Sequence, residues 1–259
     1  MRHRNPNILI VCEHASDVFG GEAALPLHYF ILLSNRFDNV FLLTHERVRS
    51  RLEAIPEIRT KNIYYMPDTC FHIFLHRIFA KLPDRIALVT VGAVMYFLTQ
   101  FYQRAMAKKI ILEKAIDIVH EPTPVSPKQP SVMFGLGVPV IIGPMNGGMD
   151  FPPAFSCLAS NLEKLVYGLV RFSSNVFNIL IPGKLFASML LVANDRTRKA
   201  LPALKLGSVV ELVENGVLES KIIARSEINE KQKSCPCALC GQINRPKNGR
   251  YCNTSGEHL

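Results

Sequence analysis

The sequence predicts an α/β fold, an open parallel sheet of Rossmann-like type with helices on both faces. Three observations predict it. Short, continuous apolar runs recur along the chain, as strands buried on both faces require. Segments of helical pattern separate them, and alternation of this kind implies right-handed crossovers and parallel pairing. Glycine-rich or polar turns follow several of the runs, and in open α/β sheets the crevice beyond the strand carboxyl ends is where ligands bind.

The elements follow in order. Asn7-Ile8-Leu9-Ile10-Val11-Cys12 is a first, central strand, followed by a polar loop over residues 13–21 and a helix over 22–33. A second strand is expected over 39–44, an amphipathic helix over 45–54, and a third, shorter strand over 62–66. Helical material fills 71–112, and residues 117–120 form a fourth strand. Val138-Pro139-Val140-Ile141-Ile142 is a fifth; residues 189–193 and 209–213 supply the sixth and seventh. At residue 224 the composition turns polar and loses its apolar periodicity, so 218–259 reads as an irregular tail.

The bulk composition is that of a globular protein, 48% hydrophobic and 20% charged over 259 residues. A net charge of +9 points to an acidic partner, such as anionic lipid or a phosphorylated substrate. The basic residues are scattered and not interleaved with aromatics, which speaks against nucleic acid. Met1-Arg2-His3-Arg4-Asn5-Pro6-Asn7 leads straight into a strand, predicting no leader peptide and a cytoplasmic, reducing setting. Cys12, Cys70 and Cys157 sit in apolar surroundings and are expected to be buried thiols. Residues 86–103 carry no charge and are flanked by Arg85 and Arg104. They suit a buried helix, a helix lying on a membrane surface or, diluted by Thr90, Thr99, Gln100 and Gln103, a marginal span.

Chemistry concentrates in three loops on one sheet edge. The run Ile116-Asp117-Ile118-Val119 delivers His120-Glu121-Pro122 at its carboxyl end, where an imidazole can exchange a proton near neutral pH or simply cap the strand. Phe19-Gly20-Gly21-Glu22-Ala23 lets backbone approach a ligand at a helix start, suiting a phosphate or a sugar hydroxyl, or is an ordinary turn. It lacks the G-x-G-x-x-G dinucleotide fingerprint. Gly143-Pro144-Met145-Asn146-Gly147-Gly148-Met149-Asp150 is a third turn-prone loop beside them, lining the same crevice or serving as a structural loop. No G-x-S-x-G elbow and no H-E-x-x-H helix is present, which argues against a hydrolase.

The ordered set Phe19-Gly20-Gly21-Glu22, Asp117-Ile118-Val119-His120-Glu121-Pro122, Gly143-Pro144-Met145-Asn146-Gly147-Gly148, Val192-Ala193-Asn194-Asp195-Arg196-Thr197 and Glu214-Asn215-Gly216-Val217 resembles the amino-terminal half of a family 4 glycosyltransferase. These retaining, two-domain GT-B enzymes move a sugar from a nucleotide sugar to an acceptor. The resemblance spans residues 7–217 and implies one half of a GT-B fold, with a nucleotide-sugar donor and a sugar or lipid-linked acceptor as partners. It implies no required metal or cofactor. It further implies that Gly20, Gly21 and Glu22 lie beside donor phosphates and acceptor, with Glu121 also binding substrate. His120 would sit near the reacting sugar as the catalytic residue, and Asn146 and Gly147 would shape the acceptor side. The basic balance and greasy helices suit a lipid-linked or anionic acceptor and a peripheral location at the inner membrane face.

The family continues with a second, donor-binding domain, whereas 42 residues follow Val217 here and show no strand–helix alternation. The expectation is an incomplete, weakly active or inactive fragment of 1–217 plus the tail 218–259. Two other classes stay open: a non-catalytic binding module and a zinc-dependent interaction protein. The latter draws on Cys235, the Cys237–Cys240 pair, Cys252 and His258, since thiolates two residues apart can share a tetrahedral zinc. The competing account of those cysteines is a shifted reading frame in which they fall by chance, and no metal is assigned.

Overall fold

The structure is a computed structural model and describes residues 5–56, 58–82, 87–147 and 174–212. These all belong to one compact unit. Seven strands form one parallel sheet: β1 (Ile8–Val11), β2 (Val40–His45), β3 (Ile63–Met66), β4 (Ile118–Glu121), β5 (Val140–Met145), β6 (Met189–Val192) and β7 (Ser208–Glu211). Their spatial order is β3-β2-β1-β4-β5-β6-β7. The helices are α1 (Gly21–Ser34), α2 (Arg49–Glu53), α3 (Cys70–Phe79), α4 (Ala93–Lys114), α5 (Gly183–Phe186) and α6 (Asp195–Ala200). Residues 174–180 are helical too, and a π-helical turn, Leu88–Gly92, leads into α4.

Successive strand residues face opposite sides of a sheet, and β1 separates two cores on that basis. Leu9 and Val11 pack with Ala107, Ile110 and Ile111 of α4, while Ile8, Ile10 and Cys12 pack with Leu27 and Phe30 of α1. Both sets are buried, which is why β1 reads as a continuous apolar run and not an alternating one. Two helix starts follow local rules. Gly20 has φ 89° and ψ 179°, a region essentially closed to residues with a Cβ, and its carbonyl accepts from the Ala23 and Ala24 amides at 3.2 and 3.1 Å. Thr69 caps α3 in a reciprocal box with His72.

Several boundaries differ from the sequence reading. The strand β4 contains His120 as expected but is shifted one residue, from 117–120 to Ile118–Glu121, so Glu121 belongs to the strand and not to the loop beyond it. Likewise β5 runs on through Gly143, Pro144 and Met145, because Met145 pairs with Val192 of β6 past an irregularity in register. The 45–54 helix shortens to a 3-10 turn and α2, since His45 still pairs with Met66 as β2. The expected 71–112 helix divides between α3 and α4. Cys12 is buried as expected, but Cys70 is exposed at the first position of α3, where the capping turn leaves it outside the core.

The apolar run before Arg104 forms much of α4 with an unexpected orientation. Thr99, Gln100 and Gln103 are the buried side chains there, and Val94, Phe101 and Tyr102 are exposed. The Gln103 Nε2 donates to the Cys12 carbonyl at 2.7 Å and the Thr99 hydroxyl to the Met95 carbonyl at 2.9 Å, while the Oε1 atoms of Gln100 and Gln103 are buried without a partner among the described residues. Among the described residues no helix is long and apolar enough to cross a membrane. The calls on Cys157, Asp150, Asn215-Gly216-Val217 and the cysteine tail lie outside the described residues.

One backbone position generates a stability prediction. Helix α4 ends at Ala115 with φ 47° and ψ 52°, left-handed despite its Cβ, while the Asn7 side chain donates to the Lys114 and Ala115 carbonyls at 3.0 Å each. Left-handed strain of about 1–2 kcal/mol exceeds the ~0.4–1 kcal/mol by which glycine loosens the unfolded chain. Ala115→Gly is therefore expected to stabilise the fold by roughly 0.5–1 kcal/mol, read as a higher urea midpoint at unchanged slope; a lower midpoint refutes the account.

Candidate functional site

Strand order reverses at β1: the chain steps outward to β2 and β3, then returns to place β4 on the other side of β1. Loops leaving β1 and β4 must therefore diverge, opening a crevice at their carboxyl ends. A pocket lies there, with a volume of about 170 Å³. Its walls come from the post-β1 loop (Glu13, His14, Phe19), the start of α1 (Glu22, Ala23), α4 (Tyr96, Gln100) and the post-β4 loop (Thr123, Pro124, Gln129). That volume is below the roughly 300–1,000 Å³ of drug-sized ligand sites and suits one sugar-sized ring more than a whole nucleotide sugar.

The expected site residues separate into three places. Glu22 lines the pocket; Gly20 and Gly21 are not among its walls but stand in the chain between the wall residues Phe19 and Glu22, and an added Cβ at either would meet nothing within 4 Å. His120 and Glu121 are adjacent on β4 and so face opposite sides of the sheet. His120 turns to the α1 side, where its ring meets Tyr29 edge-on at 4.8 Å and its Nε2–H donates to the Gly143 carbonyl at 2.7 Å. It is 7% exposed, and burial lowers its pKa. Asn146 and Gly147 lie beyond β5, not among the pocket walls. The Asn146 amide donates to the Val125 carbonyl at 2.8 Å, and the Gly147 amide donates to the Thr197 hydroxyl at 3.3 Å.

Glu121 faces the α4 side and underlies the pocket wall. Its Oε2 accepts from the Ser131 hydroxyl at 2.5 Å, and the Gln100 side chain lies beside the carboxyl, whose Oε1 is buried without a hydrogen-bond partner among the described residues. Complete burial pushes its pKa up to about 7. Lys184, equally buried, donates to the Ser126 and Pro127 carbonyls at 2.9 Å each, and burial lowers its pKa to about 7. Glu121 therefore lies behind Gln100, held by Ser131, and Lys184 anchors the loop that carries Thr123, Pro124 and Gln129.

A row of imidazoles runs from the pocket along the ends of β1, β2 and β3. The ring of His14 lies 6.3 Å from that of His45, which lies 6.1 Å from that of His72. His72 Nδ1 accepts from the Thr69 amide at 3.3 Å, which leaves Nε2–H to donate to Thr99 at 3.2 Å. His45 Nδ1 accepts from the Arg47 amide at 3.3 Å, and its Nε2 stands 3.4 Å from Asp68 Oδ1 without a well-aligned hydrogen bond. Arg47 engages the same carboxylate at 2.6 and 3.1 Å, and that hydrogen bonding holds the Asp68 pKa low. Burial lowers the pKa of all three imidazoles, that of His45 to about 4. Among the described residues no three His, Cys, Asp or Glu side chains are arranged to hold a metal ion.

The sequence reading missed Glu13, His14, Tyr96, Gln100, Thr123, Pro124 and Gln129. Tyr96 and Gln100 stand one helical turn apart in an otherwise apolar run. The polar positions in that run, read there as dilution, were the available signal for a functional face.

The histidine row makes stability depend on pH with a definite sign. An imidazole whose folded pKa lies below its unfolded value takes up its proton on unfolding, so stability falls as pH drops from about 6.5 toward 4. His45→Gln is expected to flatten that fall, measured as thermal midpoints across the range; an unchanged slope contradicts the assignment. Compared with known proteins, the chain matches no family model, and no curated protein matches it.

Proposed function

We propose that this sheet is the acceptor-binding half of a family 4-like glycosyltransferase, which moves a sugar from a nucleotide sugar to a sugar or lipid-linked acceptor. The observation that carries the reading is the small pocket of mixed polar and apolar lining at the β1/β4 reversal, beside the Gly20-Gly21 turn. Its walls suit a polyol. Glu13 and Glu22 accept hydrogen bonds from hydroxyls, and Gln100 and Gln129 both donate and accept. Phe19 and Tyr96 offer aromatic surface to the C–H faces of a ring.

For a transferase of this kind, catalysis rests on positioned hydrogen bonds that stabilise charge on the departing diphosphate and on an oxocarbenium-like sugar. In this reading His120 serves near the reacting sugar, with its Nε2–H fixed on the Gly143 carbonyl. A second reading, a sugar-binding module without turnover, draws on the same residue. His120 is sealed between Tyr29 and Gly143, and the imidazole on the pocket wall belongs to His14.

Saturation-transfer NMR with simple methyl glycosides tests the binding that both readings require. Transfer to a glycoside is expected, with Glu22→Gln weakening affinity roughly tenfold or more through loss of charge-assisted hydrogen bonds. No transfer to any glycoside removes both readings. As the acceptor-binding half alone the chain is expected to consume nucleotide sugar weakly or not at all, and measurable consumption slowed by His120→Asn favours the transferase over the module.

A further inference from the structure

We propose that an apolar ridge on α3, the first half of α4 and residues 174–180 docks onto an anionic lipid bilayer. Phe71, Phe74, Phe101, Phe177, Ile179 and Leu180 stand between 48% and 69% exposed on these three segments. The segments adjoin one another. Phe71 and Phe74 pair at 6.3 Å on α3, the His72 ring meets Tyr102 of α4 at 5.9 Å, and Phe97 of α4 meets Phe177 at 6.5 Å. Contiguous apolar surface of this kind marks an interaction site, whereas scattered exposed residues do not.

The outward apolarity of α4 is not a by-product of packing. An ordinary surface helix buries its apolar stripe and exposes its polar one. Here Thr99, Gln100 and Gln103 are buried while Phe101 and Tyr102 are exposed, so the apolar side is the one left facing solvent.

Charge selects a bilayer as the occupant. Among the described residues Arg77 and Lys81 stand exposed at the end of α3 and Lys108 stands exposed two turns after Phe101 on α4, while Arg104 turns to the Phe134 carbonyl and Lys109 pairs with Glu113. Arg77 is exposed on α3 one turn after Ile73 and Phe74, and Lys81 follows one turn later. An apolar face bordered by Lys and Arg is the pattern that inserts at an anionic headgroup surface. No described helix is able to cross a bilayer, so the ridge lies on the surface and does not span it. Tyr96 and Gln100, on the other side of α4, line the pocket, so a docked bilayer would lie close to its walls. The inference does not depend on the glycosyltransferase reading, because docking is measurable without substrate.

The test is flotation of the full chain with phosphatidylcholine vesicles, with and without phosphatidylglycerol. Co-flotation with the anionic vesicles, released by salt, is expected. Phe71→Ser/Phe74→Ser is expected to lower the partition coefficient about tenfold or more. Arg77→Glu/Lys81→Glu is expected to lower it on the order of fivefold or more per charge at low salt. Far-UV circular dichroism confirms that these exposed-site variants remain folded. The proposal is overturned if the chain stays unbound with anionic vesicles, or if both folded variants float as the wild type does. It is also overturned if the phenylalanine variant instead converts a lipid-free dimer to monomer, which would assign the ridge to a second copy of the chain.

Discussion

Pairing of β1 with β2 on one side and β4 on the other is the constraint from which the rest of the structure follows. A strand in that position exchanges main-chain hydrogen bonds with both neighbours and covers both faces with helices, so each of its side chains must be apolar. Ile8, Leu9, Ile10 and Val11 meet that demand, and their alternate directions divide the interior into an α1 core and an α4 core. The same pairing forces the loops after β1 and β4 apart, and the pocket occupies the gap. Fold and site therefore share one cause.

Beneath the pocket, buried polar groups hold its walls where an apolar core could not. Glu121 accepts from Ser131, Gln103 is tied to the carbonyl of Cys12, and Lys184 satisfies two carbonyls of the post-β4 loop. These bonds offset part of the cost of burying the groups. The result is a rigid lining built from residues distant in sequence. In the first half of α4 the buried Thr99, Gln100 and Gln103 leave Phe101 and Tyr102 outside, whereas its second half buries Ala107, Ile110 and Ile111 in the core, so the pocket and the exposed ridge both belong to the orientation of that first half.

Much of the fold was legible in the sequence. All seven strands and their parallel arrangement follow from short apolar runs separated by helical segments, and the Gly20-Gly21 turn lies beside the pocket. The boundaries were less legible at β4 and β5. His120 is expected to close the fourth strand, yet Glu121 looks like a loop residue after it, and parallel pairing with β5 extends the strand to include it. Once inside a strand, neighbours must point to opposite faces, and a single crevice does not receive both side chains directly.

Composition and local pattern by themselves determined the α/β class, the central position of β1 and the sheet edge on which chemistry gathers, because these depend on periodicity and on short-range backbone preference. Tertiary structure decided which side chains form the pocket, which of His120 and Glu121 supports it, and which side of α4 meets water. Those outcomes depend on strand register and on packing between segments as far apart as Glu13 and Gln129. Sequence spacing carries no direct record of such contacts.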